Sequence, residues 1–342
     1  MDFTFTEEQD SLREAVRDLI AAHRTEPKPG DPDVDATLWK ALADMGTLGL
    51  PFPEDAGGMG AGPVEVMIVA SELGRAGMRT PYAETMVAGT LLGTDTLLES
   101  VCDGSALVVP ALDEPGRAWS PTPVGVVADG DRLTGVRAPI PYADHAAYVV
   151  TTARGTDGTA IAVVDGPVGN TLDLGGATVR VLTADGADVA RRAVNLATLA
   201  LCAEALGAMD SALALTVDYL KTRKQFGVPL ARFQTLTQRA ADMYTSVELA
   251  RSVVQFAAMT LAADPDDSVT VSRLKVSTGK AGRHVGQEAV QLHGGIGVTA
   301  EYAVSHLLAR LTAIEHTYGD TRHHLAVLAS GVGGYGPLDL LS

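Results

Sequence analysis

A chain of 342 residues with 46% apolar content can bury a sizeable core, as one large domain or two to three small ones. Its net charge of −16 argues against nucleic acid or an anionic membrane surface as a partner, and the absence of any long uninterrupted apolar run argues against a membrane span. Two cysteines in no motif, Cys102 and Cys202, and an acidic, polar start (MDFTFTEEQDSLREAV) unlike a signal peptide predict a reduced, cytoplasmic protein.

Residues 1–104 read as a helical zone. Thr6 is a plausible N-cap for the first helix, with Leu12, Val16, Leu19 and Ile20 at helical spacing. ATLWKALADMGTLGL predicts a second helix running into a turn, PFPEDAGGMGAG a Pro/Gly loop, and VEVMIVASELGRAG a third helix. Residues 105–188 change period: ALVVPAL, PVGVVADGDRLTGVRA, AAYVVTTA and GTAIAVVD are short β-rich runs between Gly and Asp turns. With no long helix among them, a small antiparallel barrel or sandwich is expected. Residues 189–342 return to helix in four long segments, the third starting at an acidic cap and ending at Gly294, which predicts a four-helix bundle. The fold class is therefore α+β, in the order helical domain, β domain, bundle.

Charge is unevenly spread. Lys221 to His324 holds 12 Lys and Arg against 9 Asp and Glu, a net of +3, so the remainder carries −19. An anionic ligand is expected to meet this local basic region, although ordinary surface scatter gives the same count. Two motifs lie within it. RKQFGVPLARFQ, Arg223 to Gln234, follows a helix end and presents Arg223, whose guanidinium can donate two parallel hydrogen bonds to a phosphate, and Phe226, a flat apolar face. In QLHGGIG, Gly294 and Gly295 let backbone N–H groups approach a ligand, and Gln291 can read an adenine or ribose edge. Taken alone, each fits equally a helix cap and a surface arginine.

Together, in order and with Gln291 57 positions after Gln234, the motifs resemble the acyl-CoA dehydrogenase family of flavoproteins, as do MDFTFTEEQ and LADMGTLGLPFPEDAGGMG followed by SELGRAG. The resemblance covers nearly the whole chain. It implies that Arg223, Gln225, Phe226, Phe233 and Gln234, with Gln291, Leu292, His293, Gly294 and Gly295, hold the FAD of a neighbouring subunit. It also implies removal of an α-proton and a β-hydride from an acyl thioester, the hydride passing to the flavin and the proton to a carboxylate.

That carboxylate is missing at its place. Most members of the family carry it in a Tyr-Glu-Gly-Thr motif; in AIEHTYGDTRHH, Tyr318 stands where the Glu is expected and Gly319 at the Gly. A phenol with a pKa near 10 is a poor base at neutral pH. Asp320, one residue on, is the displaced-base candidate, and Glu204 another; near the alternative base position on the first bundle helix stand Ala197 and Thr198, neither acidic. The loop expected against the flavin reads LDEPGRAWSP, keeping Glu114 and Pro115 but not a Gly-Ser-Asp end, and GVRAPIPYAD puts Pro139 and Pro141 where backbone donors are expected. Asp320, Thr321 and Arg322 are expected near a flavin.

Outward-reaching elements are thus kept and inward-cradling ones lost. The resemblance then implies a non-catalytic subunit of an α2β2 acyl-CoA dehydrogenase of actinobacterial type, several of which act on CoA thioesters of steroid side chains. In that reading the catalytic partner contacts most of the acyl-CoA. Three rivals stand beside it: a self-sufficient homo-oligomer using Asp320, a flavin-free protein retaining the fold, and a metal site at His316, His323 and His324. The last lacks a supporting Cys or carboxylate cluster, so no metal is expected.

Overall fold

The computed structural model describes residues 4–23 and 34–334. The first helix, α1 (Glu7–His23), begins at a reciprocal cap: the Gln9 N–H donates to Thr6 Oγ1 at 3.2 Å and the Thr6 N–H to Gln9 Oε1 at 3.1 Å. Val16 and Ile20 are its buried residues, with Leu12 and Leu19 packing partly buried beside them. Helix α2 (Ala36–Asp44) is capped by Asp35, which accepts from the N–H groups of Thr37 and Leu38. Helix α3 (Pro63–Ala76) starts with Pro at its first position and ends at Gly77 in the left-handed region, φ 68°. Two further helices, α4 (Tyr82–Leu92) and α5 (Leu97–Cys102), close this zone. The sequence patterns did not mark α4, because ten of its eleven residues are buried and no polar face sets a period.

The middle zone has β1 (Val108–Ala111), β2 (Val127–Asp129), β3 (Arg132–Thr134), β4 (Val136–Arg137), β5 (Tyr148–Arg154), β6 (Thr159–Asp165), β7 (Leu172–Asp173), β8 (Ala177–Thr178) and β9 (Arg180–Thr183). Strands β8-β3-β2-β5-β6-β9 form a mainly antiparallel sheet, and β4 pairs separately with β7. Two pairings depart from the antiparallel expectation, β1 with β5 and β2 with β5. Strand β1 runs parallel to β5, Val108 opposite Tyr148 through Ala111 opposite Thr151, and β2 takes up the same edge at Arg154. The long excursion through β2–β4 lets the chain return in the same direction. Successive residues of β5 serve two cores, as period 2 requires: Val150 faces the helices, and Val149 and Ala153 face a smaller core with Leu133, Ile140 and Leu174.

The last zone holds α6 (Ala187–Thr222), a hairpin of β10 (Lys224–Gln225) and β11 (Val228–Pro229), then α7 (Gln234–Ala263), α8 (Ser268–His293), α9 (Ala303–His316) and α10 (Thr321–Ser330). Helix α8 starts at Asp267, which accepts from the Thr270 N–H, and ends at Gly294, φ 65°. The short α10 adds a fifth helix to the four expected. Helix α6 is long and apolar enough to cross a membrane by length and composition, yet 67% of the qualifying window is buried within the fold. It is the central helix, packed on α3, α4, α7, α8 and α9. Its contact with α3 depends on glycine: a Cβ on Gly74 would lie 1.9 Å from the Glu204 carbonyl oxygen, and one on Gly207 1.9 Å from that of Ser71.

Candidate functional site

Two places in the fold bring the sequence-marked residues together, one on the outside and one in a cleft. Outside, Arg223 ends α6 and begins the hairpin β10–β11. At the hairpin tip Phe226 is 92% exposed with φ 52°, next to Gly227 with φ 84°. Its ring stands edge-on to Phe233 at 6.2 Å. Phe233 is the N-cap of the 30-residue α7 and offers no side-chain acceptor, so Gln234 opens a helix whose first N–H groups face outward. Arg223, Lys224 and Gln225 are exposed, and a Cβ added at Gly227, Gly294 or Gly295 would meet nothing within 4 Å. A guanidinium, an apolar ring, an uncapped helix N-terminus and bare backbone suit a diphosphate with an attached ring system.

Two expected contacts take other roles. Leu292 and His293 are buried. The His293 ring lies between Tyr219 and Tyr302, at 4.5 and 5.0 Å, with Nδ1 2.7 Å from the Ala289 carbonyl oxygen. Their side chains hold the end of α8 in the bundle, leaving Gln291, Gly294 and Gly295 as the exposed or partly exposed members of that motif.

The cleft has a volume of about 270 Å³. Its wall joins three segments that the sequence marked separately: Trp119 of the LDEPGRAWSP loop, Thr198 on α6, and Tyr318 of AIEHTYGDTRHH. Trp119 and Tyr318 pack ring against ring at 5.3 Å. Tyr318 is 6% exposed, and burial raises its phenol pKa well above the usual value, the opposite of what a base needs.

The turn that carries Tyr318 is firmly held. The wholly buried Lys275 donates to the carbonyls of Ile314 (2.9 Å), Glu315 (3.0 Å), Thr317 (2.7 Å) and Gly319 (2.7 Å). Burial lowers the pKa of this lysine against the pull of Glu315 and Asp320. His324 Nε2 donates to the Tyr318 carbonyl at 3.0 Å, which makes Nδ1 the acceptor for Ser272 Oγ at 3.1 Å. Burial pushes this imidazole down to about 4, so it is neutral at physiological pH. Tyr318 has φ 54° and Gly319 φ 92°.

Asp320 is not a free base. Its carboxylate caps α10, accepting from the His323 N–H at 2.7 Å, and that bond holds its pKa below the usual carboxylate range. Arg322 is exposed on α10. Glu204 is likewise engaged: Arg310 grips it with two bonds of 2.5 and 2.7 Å. His324 turns inward and His323 stands edge-on to it, so the two rings do not converge; among the described residues no group of three or more His, Cys, Asp or Glu could hold a metal.

The loop at the cleft is folded onto itself. Glu114 accepts from the N–H groups of Val124, Gly125 and Val126 at 2.8–3.1 Å, and Arg137 beneath it donates to the carbonyls of Leu112 and Thr152. Those amides are therefore spent internally and are not offered to a ligand. Pro139 and Pro141 supply no N–H on the next segment. The outward set fits the diphosphate and adenosine end of a dinucleotide, whereas the inner cradle offers few donors for a flavin ring.

Sequence reasoning missed a second buried cluster behind Tyr318. Glu84 on α4 lies within electrostatic reach of Arg310, Glu204, Tyr142 and Tyr318, and its Oε2 has no hydrogen-bond partner among the described residues. Burial pushes the Glu84 carboxyl up to about 7. Tyr142, φ 59°, donates to the Thr80 carbonyl at 3.2 Å. The charges come from distant segments, and only an acidic residue inside the apolar run YAETMVAGTLL could have signalled them.

The helical domain, mainly antiparallel sheet and helical bundle, with a cleft between the last two, define a protein built like the FAD-dependent dehydrogenases of acyl thioesters. The N-terminal domain of acyl-CoA dehydrogenases matches residues 6–100 and the C-terminal domain residues 184–333. The chain is 32% identical to acyl-CoA dehydrogenase FadE27 of Mycobacterium tuberculosis, over 89% of this chain and 91% of that one. It is 30% identical to FadE28 of the same organism, over 96% and 98%. Among solved structures it is similar to the ChsE4-ChsE5 complex from Mycobacterium tuberculosis (TM-score 0.88, 29% identity, 98% of this chain and 100% of that one). It is equally similar to the Tcur3481-Tcur3483 steroid ACAD (TM-score 0.88, 29% identity, 96% and 98%). The chain belongs to the acyl-CoA dehydrogenase family, oxidoreductases acting on CH–CH bonds with FAD as cofactor.

Proposed function

We propose that this chain is the non-catalytic-type subunit of a heteromeric acyl-CoA dehydrogenase and completes the FAD site of a catalytic partner, in an α2β2 assembly. The observation that carries this reading is the contrast between its two sites. The groups suited to a diphosphate and an adenosine point away from the chain and are open. The cleft instead carries a buried phenol on a well-held turn where the family places its carboxylate.

FAD, when bound, supplies the hydride acceptor. The residues of this chain bind and orient: Arg223 pairs with the pyrophosphate, Phe226 covers an apolar ring face, and Gln291 with the Gly294–Gly295 backbone meets the adenosine. Taking the α-proton falls to the partner, since Asp320 and Glu204 are both engaged. Two of the similar structures are the ChsE4-ChsE5 complex and the Tcur3481-Tcur3483 steroid ACAD. Bulky polycyclic or branched acyl-CoA, held mainly by the partner, is the substrate class that accords with them, and the cytoplasm is the compartment we assign.

The test is to express the chain alone and together with the acyl-CoA dehydrogenase encoded nearest to it, then measure flavin per chain from the visible spectrum. One flavin per pair, and only on co-expression, is expected. Yellow, active protein from this chain alone overturns the proposal, and absence of flavin under both conditions points to a flavin-free role.

A further inference from the structure

Two polar cross-links tie helix α7 to helix α8. Arg239 on α7 forks onto Glu288 on α8, Nε to Oε2 at 2.6 Å and Nη2 to Oε1 at 2.9 Å. Further along, Ser246 Oγ lies 2.9 Å from His284 Nδ1. Moving forward on α7 from Arg239 to Ser246 moves back on α8 from Glu288 to His284, so both contacts belong to one antiparallel register. That register brings two separate sequence motifs to the same end of the helix pair. Gln234 lies five residues before Arg239, and Gln291 three residues after Glu288. At about 1.5 Å per residue, these are offsets of roughly 7.5 and 4.5 Å in the same direction. The last residue of RKQFGVPLARFQ and the first of QLHGGIG therefore stand at nearly the same height, with the ion pair about a turn behind them.

Apolar burial holds helices together without direction, and Met243, Val247, Val285 and Ala289 supply it on α7 and α8. A guanidinium forked on a carboxylate is satisfied in one geometry only. The pair is also only partly shielded, with Arg239 36% and Glu288 21% exposed, so its own contribution to stability is small. Arg239 spends its fork on Glu288, and that bond holds the carboxyl below the usual range. Arg239 therefore acts through the helices it joins and not by touching a ligand.

We propose that Arg239 and Glu288 are a positioning pair for the cofactor: their bond sets the height of Gln291 and the Gly294–Gly295 backbone against Gln234, so that both motifs meet one dinucleotide. The inference rests on the subunit reading above, in which these motifs grip the partner's FAD. A slide of one helical turn between α7 and α8 would separate the motifs by about 5.4 Å, more than any hydrogen bond spans.

Release of FAD on dilution of the co-expressed pair, followed by flavin fluorescence, tests this. Arg239→Gln and Glu288→Gln are each expected to raise the FAD dissociation constant about tenfold, and the double variant no further. Arg239→Lys, which keeps the charge but loses the fork, falls between parent and Arg239→Gln. The exchanged pair Arg239→Glu with Glu288→Arg recovers most of the affinity. Melting of the chain alone and assembly of the pair by gel filtration are expected to stay at parental values, which a merely structural role would not allow. Parental FAD affinity in both single variants, additive losses in the double variant, or losses that follow a lowered melting temperature and are not recovered by the exchange overturn the inference. Flavin content of the unaltered protein separates the two ideas. One flavin per pair with indifferent variants rejects only this inference, a flavin-loaded chain without its partner rejects the subunit reading, and no flavin in the pair rejects both.

Discussion

The Lys275 ammonium lies 2.7 Å from the carbonyl oxygen of Gly319, and through it a helix in the middle of the bundle fixes the turn that carries Tyr318. Three more carbonyls, at the end of α9 and in the same turn, share that ammonium. A cation at a helix C-terminus is favoured by the helix dipole, which offsets part of its burial. Lys275→Met keeps the length and removes the donors; the Ile314 carbonyl keeps the Thr317 N–H, while the carbonyls of Glu315, Thr317 and Gly319 lose this partner. A loss of about 3 kcal/mol is expected, in line with hydrogen bonds to charged groups. Denaturant unfolding of the complex measures it; a midpoint unchanged from the parent protein would show that the turn is held by other means.

The α3–α6 contact makes a sharper steric prediction. A Cβ at Gly207 would lie 1.9 Å from the Ser71 carbonyl oxygen and 2.5 Å from the Arg75 nitrogen, both backbone atoms that cannot rotate away. Gly207→Ala must push the helices apart, at a cost of roughly 1–3 kcal/mol, the usual range for overpacking. Gly331→Ala is the control, since its Cβ would meet only the Leu328 carbonyl oxygen at an ordinary 3.6 Å. Equal melting temperatures for the two variants would refute the packing argument.

Helix ends were the most legible feature of the sequence because they follow local chemistry. Thr6 with Gln9, Asp267 with Thr270, and Gly294 each signal a terminus within a few residues. Tyr318 stood out in the sequence as a departure from the family motif, and it lies in the cleft wall against Trp119. The engagement of Asp320 and Glu204 was not legible. Whether a carboxylate is free or spent depends on a partner such as Arg310, 106 positions away from Glu204. The parallel β1–β5 pairing was hidden for the same reason, as short β-rich runs do not encode the direction of their neighbours.

Phe226 separates stability from assembly. With 92% of its surface exposed and its ring edge-on to Phe233 at 6.2 Å, it contributes little to the isolated fold. Phe226→Ala is expected to shift chain stability by less than about 0.5 kcal/mol. Flavin content of the co-expressed pair is expected to fall, and further with Arg223→Ala, where a charge-assisted bond to phosphate is lost. Thermal unfolding of the chain and flavin absorbance of the pair are the two readouts. A variant with parental flavin content would place the ring outside the cofactor interface.

Glu84 gives a pH prediction whose sign is fixed by its burial. Its carboxyl is raised from 4.5 to about 7 by desolvation, which outweighs the attraction of Arg310. The folded state thus keeps the proton where the unfolded chain releases it. Its contribution to stability is fully present below pH 4.5, declines as pH rises towards 7, and is lost above that. Removing the titration with Glu84→Gln should flatten the difference between the two proteins below pH 4.5 and leave the variant more stable at pH 8. The gain at pH 8 is at most roughly 3 kcal/mol, the free energy of the shift, and smaller where the cluster relaxes around the ionised carboxylate. Urea unfolding at pH 4.5, 6 and 8 measures the trend. The cluster joins α4 to α6 and α9, so a variant whose advantage does not grow with pH would mean that Glu84 ionises freely in the fold and that water reaches the interior behind Tyr318.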